Sequence, residues 1–135
     1  VTGDIGGVPV EKRIDFMGTH PGSYPALSSE ANLKEVRRVE ARLSAIPYYI
    51  VPREAVARME EKIKDGDIIA LATRVPGLDV THTGIALRQG DGRIYLLHAS
   101  TLGQVMVSEE PLADYLEKID GNTGILVAMP LPPEN

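Results

Sequence analysis

The chain has no cysteine among its 135 residues, so it carries no disulfide, no thiolate metal site and no thiol nucleophile. It has no run of 18 apolar residues, which excludes a membrane-spanning helix. It also lacks any long run of like charge. The 14 basic and 19 acidic residues are interspersed, for a net charge of −5. That balance argues against nucleic acid or an anionic membrane as partner. No signal peptide opens the chain, because Val1-Thr2-Gly3-Asp4-Ile5-Gly6-Gly7 has neither a basic start nor an apolar stretch. With no Met at position 1, the opening reads as a domain entered partway. Histidine is scarce too, with three in the chain.

The hydrophobic content, 43%, suffices for one domain over 1–135 with a real core. A chain of this size buries about two-thirds of its unfolded surface. Residues 1–27, rich in Gly and Pro, read as irregular with a short strand near Val8–Val10. Ser28 and Ser29 are N-cap candidates for a helix over 29–45, where Leu33, Val36, Val39 or Glu40, and Leu43 recur at helical spacing. Pro47 ends that helix, and Tyr48–Val51 forms a short extended link. A second helix is expected over 53–63. Strands follow over 67–73, 82–89, 93–99, 104–108 and 124–129, with a small helix starting at Pro111. The Pro-rich tail closes the chain. The expected class is α+β, with N-terminal helices packed on a mostly antiparallel sheet of about five strands.

Two of the three histidines fall on one expected hairpin, His82 on its first strand and His98 on its second, joined by Gly90-Asp91-Gly92. A three-residue loop with a type I turn and Gly92 left-handed pairs Gln89 with Arg93, so that opposed positions sum to 182. His82 then lies across from Ser100 and His98 across from Gly84. Both imidazoles project to one face as diagonal neighbours, about 7–8 Å apart at the backbone. Gly84 would leave room for a ring over the sheet. A two-residue turn gives an odd sum and opposite faces, and Asp-Gly suits either turn. On one face, one imidazole can serve as general base while the other fixes its tautomer. Such a pair needs a nucleophile.

The run Gly66-Asp67-Ile68-Ile69-Ala70, then Thr81-His82-Thr83-Gly84-Ile85, then Leu97-His98-Ala99-Ser100, resembles the C-terminal half of the NlpC-type papain-like cysteine amidases. Gly6-Gly7, Phe16-Met17, Pro47-Tyr48-Tyr49-Ile50, Gly77-Leu78-Asp79 and Pro111-Leu112-Ala113-Asp114-Tyr115 resemble its N-acetylmuramoyl-L-alanine amidase-like branch. The resemblance spans nearly the whole chain and rests on the order and spacing of its motifs. It implies that His82 is the catalytic base and His98 its orienting partner. It implies hydrolysis of the amide between N-acetylmuramic acid and L-alanine in muropeptides, with no cofactor and no metal. It places the protein in the bacterial envelope, in the periplasm.

The family's nucleophilic cysteine stands at a helix N-terminus that precedes the region matched here. The chain is therefore expected to be the C-terminal part of a longer amidase domain, a papain-like half-domain, and inactive alone. Its uncovered sheet should seek the missing N-terminal segment or a dimer mate. Thr81, Ser100, Thr101, Asp79, Tyr48 and Tyr49 are substrate-contact candidates, with solvated strand ends and ordinary packing as the plain alternatives. Asp79 could instead cap the turn into the His82 strand, or join both histidines in a metal site. His20 reads as an ordinary loop residue. Two other functions stay open: a non-catalytic muropeptide- or peptide-binding module, and a small metal-dependent hydrolase.

Overall fold

Long β-branched runs late in the chain and an amphipathic stretch early in it separate the molecule into a sheet and a peripheral helix. The computed structural model describes residues 1–101 and 103–132; the last of the Pro-rich tail, 133–135, lies outside the described residues. Among the described residues the strands are β1 (Val8–Val10), β2 (Tyr48–Pro52), β3 (Ile68–Thr73), β4 (Val80–Arg88), β5 (Ile94–Ala99), β6 (Val105–Val107) and β7 (Asn122–Ala128). They form one sheet in the order β1-β2-β7-β3-β4-β5-β6, with every described pairing antiparallel. The helices are α1 (Phe16–Thr19), α2 (Glu30–Ser44), α3 (Val56–Met59) and α4 (Leu112–Glu117).

The α+β class and the antiparallel sheet agree with expectation, but the sheet has seven strands where about five were expected. β1 is the short strand expected near Val8–Val10, now joined to the sheet, and β2 was not expected. The Tyr48–Val51 link is itself a strand, because its backbone pairs with β1 on one side and β7 on the other. The helix expected over 53–63 is broken into short 3-10 and α turns. Arg88 ends it by donating from Nη2 to the carbonyls of Glu60 and Ile63. The helix expected over 29–45 is present as α2, with Ser29 as N-cap accepting from the Asn32 amide.

The core lies on one face of the sheet. Ile69, Leu71, Leu96, Ile94, Ile125 and Val127 meet Val56, Ile63, Leu112 and Leu116 from the α3 and α4 side. Two arginines lock the hairpin to this layer. Arg88 binds as above, and Arg93 makes a two-pronged ion pair with the buried Glu60 at 2.7 and 3.2 Å. The opposite face is different. Ladder partners align Ala128, Ile68, Ile85, Leu97 and Val107 in one uncharged row across five strands. Ile68 and Ile85 remain 41% and 44% exposed. The amphipathic helix α2 buries only Glu40, whose carboxylate accepts the Gly18 amide at 3.0 Å.

The β4–β5 turn follows the expected geometry. Gly92 sits at φ +80°, Gly92 N–H donates to Gln89 O, and Gln89 N–H donates to Arg93 O. Partners from Ile85–Leu97 to Arg88–Ile94 all sum to 182. Space at Gly84 is tight. A Cβ there would meet the Leu96 Cδ1 at 2.6 Å and the Leu97 carbonyl oxygen at 2.7 Å. Gly84 thus admits the β5 backbone and the Leu96 side chain. Gly84→Ala should cost roughly 1–3 kcal/mol, since a backbone carbonyl cannot yield cheaply. Urea unfolding measures this, and an unchanged midpoint would refute the close-approach argument.

Candidate functional site

The even register brings the histidines together. His82 Nε2 and His98 Nδ1 lie 2.8 Å apart, within hydrogen-bond distance. The rings are 5.0 Å apart between centroids and stand at 89° to one another. His98 continues the buried row Ile94, Leu96 along β5 and is only 8% exposed. His82 pairs with Leu71 and is half-buried. Both imidazoles sit at the rim of the core face.

A β-bulge sits beside His82. Leu71 pairs with His82, but the next residue on β3, Ala72, pairs with Val80. Thr81 is the extra residue, and such an insertion bends a strand and re-aims the side chains near it. The sequence carries no mark of this bulge. Nor does it single out Tyr115 of α4, whose ring lies 5.6 Å from that of His98 at 62°. In the sequence Tyr115 stands only as a member of the run Pro111-Leu112-Ala113-Asp114-Tyr115, with no role attached to it. Met106 is the cross-strand partner of His98 on β6.

The proton inventory of the pair is constrained. One N–H lies between the two rings, so one nitrogen donates and the other accepts. Burial, and then the nearby His82, hold the His98 pKa below the ordinary imidazole value near 6.5. A neutral His98 can accept at Nδ1. His82 then donates from Nε2 and keeps a lone pair on Nδ1, the nitrogen that the pair leaves open. That is the tautomer a general base needs.

The other candidates scatter. Asp79 does cap its own strand entry: its Oδ1 accepts the Val80 amide at 2.9 Å. Its carbonyl accepts from the Tyr48 hydroxyl at 3.0 Å. Burial, and then the Asp79 charge, push the Tyr48 phenol up to about 12. Tyr48 is half-buried and tied to the start of β4 by this bond. Tyr49 is 38% exposed and lies against Gly3, on a strand separated from β4 by β7 and β3. Thr81 and Thr101 are exposed. Ser100 donates its amide to Gln104 O where the chain turns into β6, rather than continuing the ladder opposite His82. Among the described residues no three His, Asp or Glu side chains converge as a metal site. His20 lies apart, stacked on Phe16 at 4.3 Å.

The chain is thus α+β, with two imidazoles in contact across β4 and β5. The chain belongs to the AmiA-like family, described as N-acetylmuramoyl-L-alanine amidase-like, whose profile matches residues 1–125. Among solved structures, it is similar to an N-acetylmuramoyl-L-alanine amidase from Bacteroides uniformis, at 38% identity and TM-score 0.85, over 93% of this chain and 55% of that one. A Bacteroides fragilis protein provisionally named a xylanase is 36% identical, with TM-score 0.84, over 93% of this chain and 56% of that one. The chain thus spans about half the length of these structures. A search of curated proteins returns no match.

The depressed His98 pKa has a consequence for stability. The unfolded chain binds this proton more readily than the folded one, so stability rises with pH across that window. The cost is absent above about 6.5 and complete below the lowered folded pKa. Denaturant titrations should show wild type losing stability, relative to His98→Gln, as pH falls through this range. A difference between the two that stays constant with pH would contradict the assignment.

Proposed function

We propose that these residues supply the base half of an amidase that cleaves the amide between N-acetylmuramic acid and L-alanine in muropeptides. The reading carries with it a papain-like, Cys-His-His mechanism. The thiol comes from outside the 135 residues, in a segment that brings it to the open Nδ1 of His82. The supporting observation is the 2.8 Å contact between His82 Nε2 and His98 Nδ1, which leaves that nitrogen available. Family membership supports the substrate class.

In this mechanism His82 Nδ1 takes the thiol proton, and the thiolate attacks the lactyl carbonyl carbon. The resulting imidazolium donates through Nε2 to neutral His98, which stabilises the new charge. His82 then passes its Nδ1 proton to the departing alanine nitrogen as the C–N bond breaks. A thioester remains. Water, deprotonated by His82, attacks it and releases the muramic carboxylate, and the thiol regains its proton. No step calls for a metal. The segment that brings the thiol belongs to the same longer polypeptide, and the uncharged row through Ile68 and Ile85 gives that polypeptide an apolar surface to cover. On this reading the protein works in the bacterial envelope, on the periplasmic side.

The test uses the longer protein that contains these residues, with a muramoyl-peptide substrate and chromatography of the released peptide. His82→Ala should lower kcat by about 10²–10⁴. His98→Ala should lower it by about 10², because an unheld imidazole points and protonates wrongly. Full activity of the His82→Ala protein would end the proposal.

A further inference from the structure

The pair alone does not explain which of two tautomers it adopts. With a proton on His82 Nε2, His82 is a base at Nδ1. With that proton on His98 Nδ1, His82 carries its own hydrogen at Nδ1 and cannot receive one from a thiol. The two states differ in what the far nitrogen of His98 presents to its surroundings. In the useful state it is an N–H; in the useless one it is a bare lone pair.

Among the described residues, His82 from β4 and Tyr115 from α4 make ring contacts with His98, and Met106 from β6 is its cross-strand partner. Of these, His82 and Tyr115 titrate. The Tyr115 ring contacts His98 in a tilted, edge-on arrangement at 5.6 Å and 62°. An aromatic face is electron-rich and an aromatic edge electron-poor. If the imidazole supplies the edge of this pair, an N–H there is attracted to the phenol face and a lone pair is repelled. Tyr115 is also rigidly held. Leu112 and Leu116, three before and one after it, are fully buried, and Tyr115 itself packs on the core.

We propose that Tyr115 is a positioning residue, which through its ring holds the His98 imidazole in the orientation and tautomer that present Nδ1 as acceptor to His82. It acts through His98 and touches no substrate. The hydroxyl is dispensable; the aromatic ring is the active part. This inference rests on the proposed base role of His82 for its catalytic meaning but not for its spectroscopic one.

The experiment is long-range proton–nitrogen NMR of the protein with 15N-labelled histidine, which reads the tautomer of each ring directly. Wild type and Tyr115→Phe should both show His82 and His98 protonated at Nε2 when neutral. Tyr115→Leu should show His98 as a mixture of tautomers, and Tyr115→Met does the same service if the Leu protein does not fold. In the longer, thiol-bearing protein, Tyr115→Leu should lower kcat by roughly tenfold with KM little changed, and Tyr115→Phe should restore it. Retention of one His98 tautomer in a folded Leu or Met protein would overturn the proposal, as would its loss in Tyr115→Phe. A tautomer effect without any muropeptide hydrolysis by the wild type would uphold the positioning and count against the amidase reading alone.

Discussion

The 2.8 Å contact between His82 Nε2 and His98 Nδ1 is the constraint to which the rest of the molecule answers. Two imidazoles on adjacent strands meet only if the hairpin register is even. That register is set at the turn, ten residues from His82 and six from His98, by Gly92 at positive φ and the Gln89–Arg93 pair. Gly84 lets β5 approach β4 closely near the histidines. The bulge at Thr81 bends β4 beside His82. Each feature is local, yet each would misplace an imidazole if changed.

Burial then gives the contact its direction. His98 sits with Leu96 and Ile94 on the core face, where charge is disfavoured, so it stays neutral and can accept a hydrogen bond. His82, half-buried at the rim, is more exposed to water than His98. The two rings are chemically alike, and their surroundings are unequal; the proposed function assigns them different roles on that ground. A buried neutral imidazole lowers the stability of the fold in acid. The Arg93–Glu60 pair and the Arg88 contacts tie the same hairpin to the helical layer that carries Tyr115.

Much of this was legible in the sequence. The β4–β5 hairpin and its even register followed from Gly90-Asp91-Gly92, because turn chemistry is local. Helix α2 was legible from its spacing and its Ser29 cap. Strand β2 was not, since Tyr48–Val51 is short and becomes a strand only through pairing with β1 and β7, both distant in sequence. The helix over 53–63 misled for a similar reason: Arg88, 25 residues on, takes the Ile63 carbonyl. At the site, the two histidines stood out because histidine is scarce. Tyr115 did not, because an aromatic on an apolar helix stripe looks the same whether it fills the core or braces an imidazole. Tyr48 and Tyr49 lie on β2, with two strands between it and β4 in the sheet, although the Tyr48 hydroxyl reaches Asp79 at the start of β4.

The account's central claim is that His82 is a base with its Nδ1 directed at a thiol. The most direct measurement is the pH dependence of alkylation of that cysteine by iodoacetamide in the longer, thiol-bearing protein. A thiol paired with His82 should react at its plateau rate well below the ordinary thiol pKa of about 8.5, and in His82→Ala the profile should move up to that value. Superimposable profiles for the wild-type and His82→Ala proteins would contradict the claim.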